Sequence, residues 1–197
     1  MSELPFTYDD ARHEYRVDGR TVPHITGMLL AAGLVDTRWF TDEASTRGTH
    51  IHKLTADYDL GALELGDCVS RYRGYLLGYA QAVTALKPEF LEVEMPAIHP
   101  TYNYGGRPDR VAKVFKKLSI WEIKSGLHAP AHGVQTALQA ILRAPDYDLP
   151  AELWARFCVY LGPTGRYRVE QHEQQSDFAT ARRLIRDHAH DHHDPLA

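Results

Sequence analysis

The sequence predicts one mixed α/β domain, and three observations carry that expectation. Stretches with period-two alternation, such as "EFLEVEMPAI", are interleaved with stretches whose apolar residues recur every three or four positions, so strands alternate with helices. The length, 197 residues, suits a single core. The composition, 44% apolar and 24% charged, is that of an ordinary globular chain, and no apolar run is long enough for a membrane span.

Taken in order, "FTYDDARHEYRVDG" alternates around an Asp-Asp turn and predicts a β-hairpin ending at Gly19. "HITGMLLAAG" predicts a short helix stopped at Gly33, which completes an N-terminal unit over residues 1–40. A helix is expected from Thr41 to Tyr58, with Thr41 as N-cap, Asp42 and Glu43 in the first turn, and Ile51, Leu54 and Tyr58 on one face. The next helix carries Val69, Tyr72, Leu76, Tyr79, Val83 and Leu86 as its stripe and stops before Pro88. After the strand "EFLEVEMPAI" come two short strands, "GGRPDRVAKVFKKLSIWEIKSG", with Lys116 and Lys117 as their turn. "HGVQTALQAILRAP" predicts a helix ended by Pro145. "WARFCVYLGPTGRYRVEQH" predicts a hairpin, and "SDFATARRLIRDHAH" a last helix capped by Ser176 or Asp177. The histidine-rich tail, 188–197, is expected to be a frayed and disordered end.

Several function classes are excluded by counting. A net charge of −4 does not suit a protein that coats nucleic acid by bulk electrostatics, so DNA would need a local basic patch. Two cysteines, Cys68 and Cys158, cannot hold an iron–sulfur cluster on four thiolates. There is no Gly-x-x-x-x-Gly-Lys phosphate loop. "MSELPFTYDD" has no basic then apolar leader, which predicts a cytoplasmic protein with no membrane partner.

The charges within 105–126 call for an explanation. A turn at Lys116 and Lys117 pairs Phe115 with Leu118 and therefore Asp109 with Lys124. Glu122 shares the face of Lys124, so Asp109 and Glu122 become diagonal neighbours, roughly 7 Å apart. Trp121 and Ile123 turn to the other face. Two such carboxylates repel unless a cation lies between them, and a hard divalent ion bound through oxygens at about 2.1 Å meets that need. It would bind phosphate oxygens and activate a water, while Lys124 oriented the attack and offset developing charge. The bland alternative is a surface hairpin whose Asp109–Lys124 pair contributes under ~1 kcal/mol.

"RPD" followed by "EIK" resembles the PD-(D/E)XK nuclease superfamily at Pro108, Asp109, Glu122 and Lys124. "RGTHIH" is similar to the GTxxH motif of its RecB-like and lambda-exonuclease-like branch, and "VQTALQ" to the QxxxY motif. "YRVDGRTVPHIT" is similar to the N-terminal hairpin and helix of phage-type members. Two departures stand out: Gln139 occupies the usual Tyr position, and no Glu follows His52 closely, Asp57 being the nearest acid.

The resemblance implies a restriction-endonuclease-like core: a mixed central β-sheet flanked by helices, with the N-terminal β-hairpin beside it. It implies a metal-dependent DNA nuclease, an exonuclease of phage recombination or DNA processing. Asp109, Glu122, Lys124 and Gln135 are then the catalytic residues. His52, Asp109, Glu122 and the Ile123 carbonyl hold one or two Mg²⁺ or Mn²⁺ ions. The expected partners are double- or single-stranded DNA and a phage recombination or single-strand annealing protein, with assembly into a homo-oligomer an open expectation. Arg47, Lys53, Arg107 and Gln139 are candidate DNA contacts. The alternative is a non-catalytic DNA- or protein-binding module that keeps the nuclease fold.

Overall fold

The structure, a computed structural model, describes residues 6–190 except Ala11, Phe40 and Val69. Three short strands open the chain: β1 (Phe6–Asp9), β2 (Glu14–Val17) and β3 (Arg20–Val22), paired in that order. The expected hairpin is thus a meander. Asp18 and Gly19, both at positive φ, form a second tight turn rather than an end, as Asp-Gly favours. Helix α1 (Ile25–Ala31) follows, capped by His24.

Helix α2 (Asp42–Asp59) starts where the sequence predicted. The Thr41 hydroxyl accepts from the Ala44 amide, and two acids sit in the first turn. Helix α3 (Arg73–Leu86) starts just after Tyr72, its N-cap, while Val69, the first residue of the expected stripe, lies outside the described residues. The helix packs so close to the turn at Pro163 and Thr164 that a Cβ on Gly74 would lie 1.7 Å from the Pro163 carbonyl oxygen. Strand β4 (Glu89–Val93) is followed by a small hairpin, β5 (Ala97–Ile98) and β6 (Gly105–Gly106).

Then come β7 (Arg110–Val114), β8 (Lys117–Lys124), α4 (Ala131–Tyr147), β9 (Ala155–Leu161), β10 (Tyr167–Gln171) and α5 (Gln175–His190). Pro145 does not end α4 but lies in its last turn, with Asp148 in the left-handed region closing the helix. Neither Ser176 nor Asp177 precedes α5, which starts at Gln175; Asp177 lies in its first turn and pairs with Arg156. The tail is helical through His190, and residues 191–197 lie outside the described residues.

The main sheet has the order β10-β9-β8-β7-β4, with β8 and β9 parallel and the other neighbours antiparallel. One face carries α1, α4 and α5, where Met28, Leu138, Leu142 and Phe178 gather with Val111 and Ile120. The other carries α2 and α3, where Ile51, Leu76 and Tyr79 gather with Trp121, Ile123 and Val159. Both faces are covered, so residues 119–123 of β8 are all buried.

The β7–β8 turn departs from expectation. Phe115 and Lys116, both at positive φ, form it, and Val114 pairs with Lys117. No Gly or Asn marks the spot, so local chemistry could not place the turn. The shift of two pairs Arg110 with Trp121, so Asp109, one residue before the paired stretch, does not face Lys124; its carboxylate accepts the Ile123 amide instead.

Candidate metal centre

Three strands end or pass at one margin of the sheet. Past the Val93–Arg110 pair, the Glu94 amide donates to the Asp109 carbonyl at 2.9 Å, and Glu94 sits at positive φ (50°). That twist turns its side chain beside Asp109. From α2, His52 completes a group: its Nδ1 lies 3.1 Å from Asp109 Oδ1 and 3.3 Å from Glu94 Oε1. One ligand atom from each of His52, Glu94 and Asp109 lies within 4.8 Å of the others. The second Asp109 oxygen accepts the Ile123 amide at 2.6 Å, which fixes the carboxylate's orientation.

Burial opposes a charge on His52, but Asp109 and Glu94 outweigh it and push its pKa up to about 10. An imidazolium between two carboxylates holds the place of a cation. His50, two residues earlier, turns instead to the Thr46 carbonyl.

Glu122 stands outside this group among the described residues. Its Oε1 accepts Lys124 Nζ and Gln135 Nε2, both at 2.7 Å, and its Oε2 accepts Gln139 Nε2 at 2.7 Å. Lys124 also donates to Gln135 Oε1 at 3.0 Å. Burial works against the Lys124 ammonium, yet Glu122 holds its pKa above the ordinary lysine value. The sequence therefore brings Asp109 with His52, and Glu122 with Lys124 and Gln135, but as two adjoining sets rather than one.

Of the expected DNA contacts, Gln139 is corrected: it is 2% exposed and lies behind Glu122, because α4 presses that face onto the sheet. Arg107 is tied inward, with Nε 3.3 Å from Glu94 Oε2 and Nη1 2.6 Å from Asp10 Oδ1. Lys53 pairs with Asp57 at 3.1 Å on the exposed side of α2, which takes Asp57 away from the site. Arg47 is half-buried, with an Nε that has no hydrogen-bond partner among the described residues.

Two contributors escaped sequence reasoning. Glu94 looked like one more outward acid of a strand, and its pairing to Asp109 spans a bulge between Phe90 and Glu92 that shifts the β4–β7 register. Its place just before "MP", where a strand must stop, was the available signal. Arg110 is fully buried; its Nε lies 2.6 Å from Asp59 Oδ2, and its Nη1 reaches Glu94 Oε1 at 3.3 Å and the Asp109 carbonyl at 2.6 Å. It buttresses both carboxylate residues from inside.

No protein-family model matches the chain, and no curated protein matches it. Among solved structures it is similar to one titled "Crystal structure of SSO0001", at 19% identity over 88% of this chain and 89% of that chain, with a TM-score of 0.36. Among the described residues no helix is long and apolar enough to cross a membrane.

Proposed function

We propose that the protein is a metal-dependent DNA nuclease of the PD-(D/E)XK type, built on a restriction-endonuclease-like core. The observation that supports this most is the meeting of His52, Glu94 and Asp109 donor atoms within 4.8 Å. The Glu122–Lys124 pair adjoins them through Ile123, whose amide Asp109 holds.

Two carboxylates and an imidazole form a donor set that fits Mn²⁺ well and accepts Mg²⁺, since imidazole suits transition metals and carboxylates suit both. His52, Glu94 and Asp109 would hold the ion. When bound, it would neutralise phosphate charge and lower the pKa of a coordinated water. Within the chain, Asp109 is kept in register by the Ile123 amide, and Arg110 keeps Glu94 beside it. Lys124 would carry positive charge to the phosphate, with Gln135 and Glu122 limiting its motion.

The test is degradation of linear, nicked and single-stranded DNA with Mg²⁺ or Mn²⁺. Asp109→Ala and Lys124→Ala are each expected to lower turnover by roughly 10³-fold, with circular dichroism unchanged. Inactivity of the wild type on all three substrates, or full activity of Asp109→Ala, would remove the proposal. A second reading, a DNA-binding module on the same scaffold, draws on the three donors that already occupy Glu122. Retention of DNA without cleavage is its signature.

A further inference from the structure

Helix α4 turns a row of polar side chains toward the end of β8. Gln139, Gln135 and His132 follow at spacings of four and three, so they share one helix face. Two of the three are spent inside the protein. Gln139 and Gln135 donate to Glu122, and Gln135 also accepts from Lys124.

His132, one turn further on, is held by its inner nitrogen alone. Its Nδ1 accepts the Ala129 amide at 3.3 Å and lies 2.9 Å from the Tyr160 hydroxyl. A nitrogen that accepts an N–H carries no proton of its own, so in the neutral ring the proton sits on Nε2. Burial, then the neighbouring Lys124 charge, push the His132 pKa down to about 3, which keeps the ring neutral at ordinary pH. Among the described residues Nε2 has no acceptor. It is not one of the sealed, unpartnered atoms, and the residue is only half-buried. The polar row that serves Glu122 thus continues to an N–H donor that is accessible from outside and has no acceptor among the described residues.

We infer that His132 is a substrate-binding residue whose Nε2–H donates to a non-bridging phosphate oxygen of the DNA strand, at a phosphate neighbouring the one that faces Lys124. This rests on the nuclease reading. The contact comes from a neutral donor, so it adds affinity without displacing a counterion. That separates it from a lysine or arginine contact, each of which contributes about 0.9 to the dependence of log K on log salt.

The experiment is fluorescence anisotropy on labelled duplex with Ca²⁺ in place of Mg²⁺, at several salt concentrations, beside thermal melts. His132→Asn keeps a polar group at the inner position and lacks the outer donor; His132→Gln puts an amide N–H near the place of Nε2. Asn is expected to weaken binding about tenfold, Gln to recover most of it, and neither to change the salt slope. Equal binding by wild type and Asn, or Gln as weak as Asn, or a slope lowered by one contact, overturns the assignment while leaving the nuclease reading in place. A wild type that neither binds nor cleaves DNA in any ion brings down both.

Discussion

Arg156 with Asp177, and His52 with Glu94 and Asp109, are two ionic clusters assembled from the same ingredients. In the first, one guanidinium meets the Asp177 carboxylate at 3.0 Å and the Gly133 and Gln174 carbonyls at 2.7 and 3.2 Å, with the Phe178 ring 4.6 Å from its centre. That cation never loses its proton, and its neighbours lock α4 and α5 to β9. In the second, two carboxylates share one imidazole, a cation that can give way to another. A closed cluster stabilises the fold; an open one keeps unspent affinity for an ion.

Substitutions should separate the two. The largest effect is expected in the closed cluster: Arg156→Ala, which leaves Asp177 without its cation, should cost about 3–5 kcal/mol in urea unfolding without touching the metal group. Glu94→Gln should cost less in the absence of ions, about 1–2 kcal/mol, since Gln keeps an acceptor for Arg107 and Arg110 and relieves the like charge of Asp109. A loss there as large as in Arg156→Ala would erase the distinction. Next, Mn²⁺ at about a hundred times its Kd should stabilise the wild type by about 2.7 kcal/mol, read as a rise in melting temperature reversed by EDTA. Glu94→Gln and Asp109→Ala should lose most of that rise.

The smallest effect concerns a histidine of the opposite kind. His99 is stacked between Tyr102 and Tyr104, and its Nδ1 accepts the Thr101 and Tyr102 amides. Burial lowers its pKa from 6.5 to about 4. Below pH 6.5 the unfolded chain takes up a proton that the native chain refuses until about 4. The contribution of His99 is therefore level above that window and falls as pH drops through it. His99→Asn keeps a local acceptor and removes the proton site. Its pH–stability curve should be flatter over this range, though not flat, because His132 adds a loss of the same sign.

Much of the fold was legible because it is encoded locally. Thr41, Asp42 and Glu43 announce the start of α2, and the Val134, Leu138 and Ile141 stripe announces α4. The alternation along β8 was also readable: Trp121 and Ile123 join the core under α2 and α3, while Glu122 turns to α4. What escaped was long-range. The neighbourhood of Glu94 and Asp109 depends on a bulged pairing of β4 with β7, and the burial of Gln139 depends on how tightly α4 settles on β8. Pro145 inside α4 shows the converse: tertiary packing kept a helix going past its local stop signal.

Glu94 directly follows β4, Asp109 directly precedes β7 and Glu122 lies within β8, three successive neighbours in the sheet, so the ladder itself sets the spacing between their backbones. Lengthening the loops on this rim would leave those intervals intact, much as a ruler keeps its marks when its case is changed. One extra residue inside β7 would break the correspondence at a stroke, sending the carboxylate of residue 109 to the wrong side.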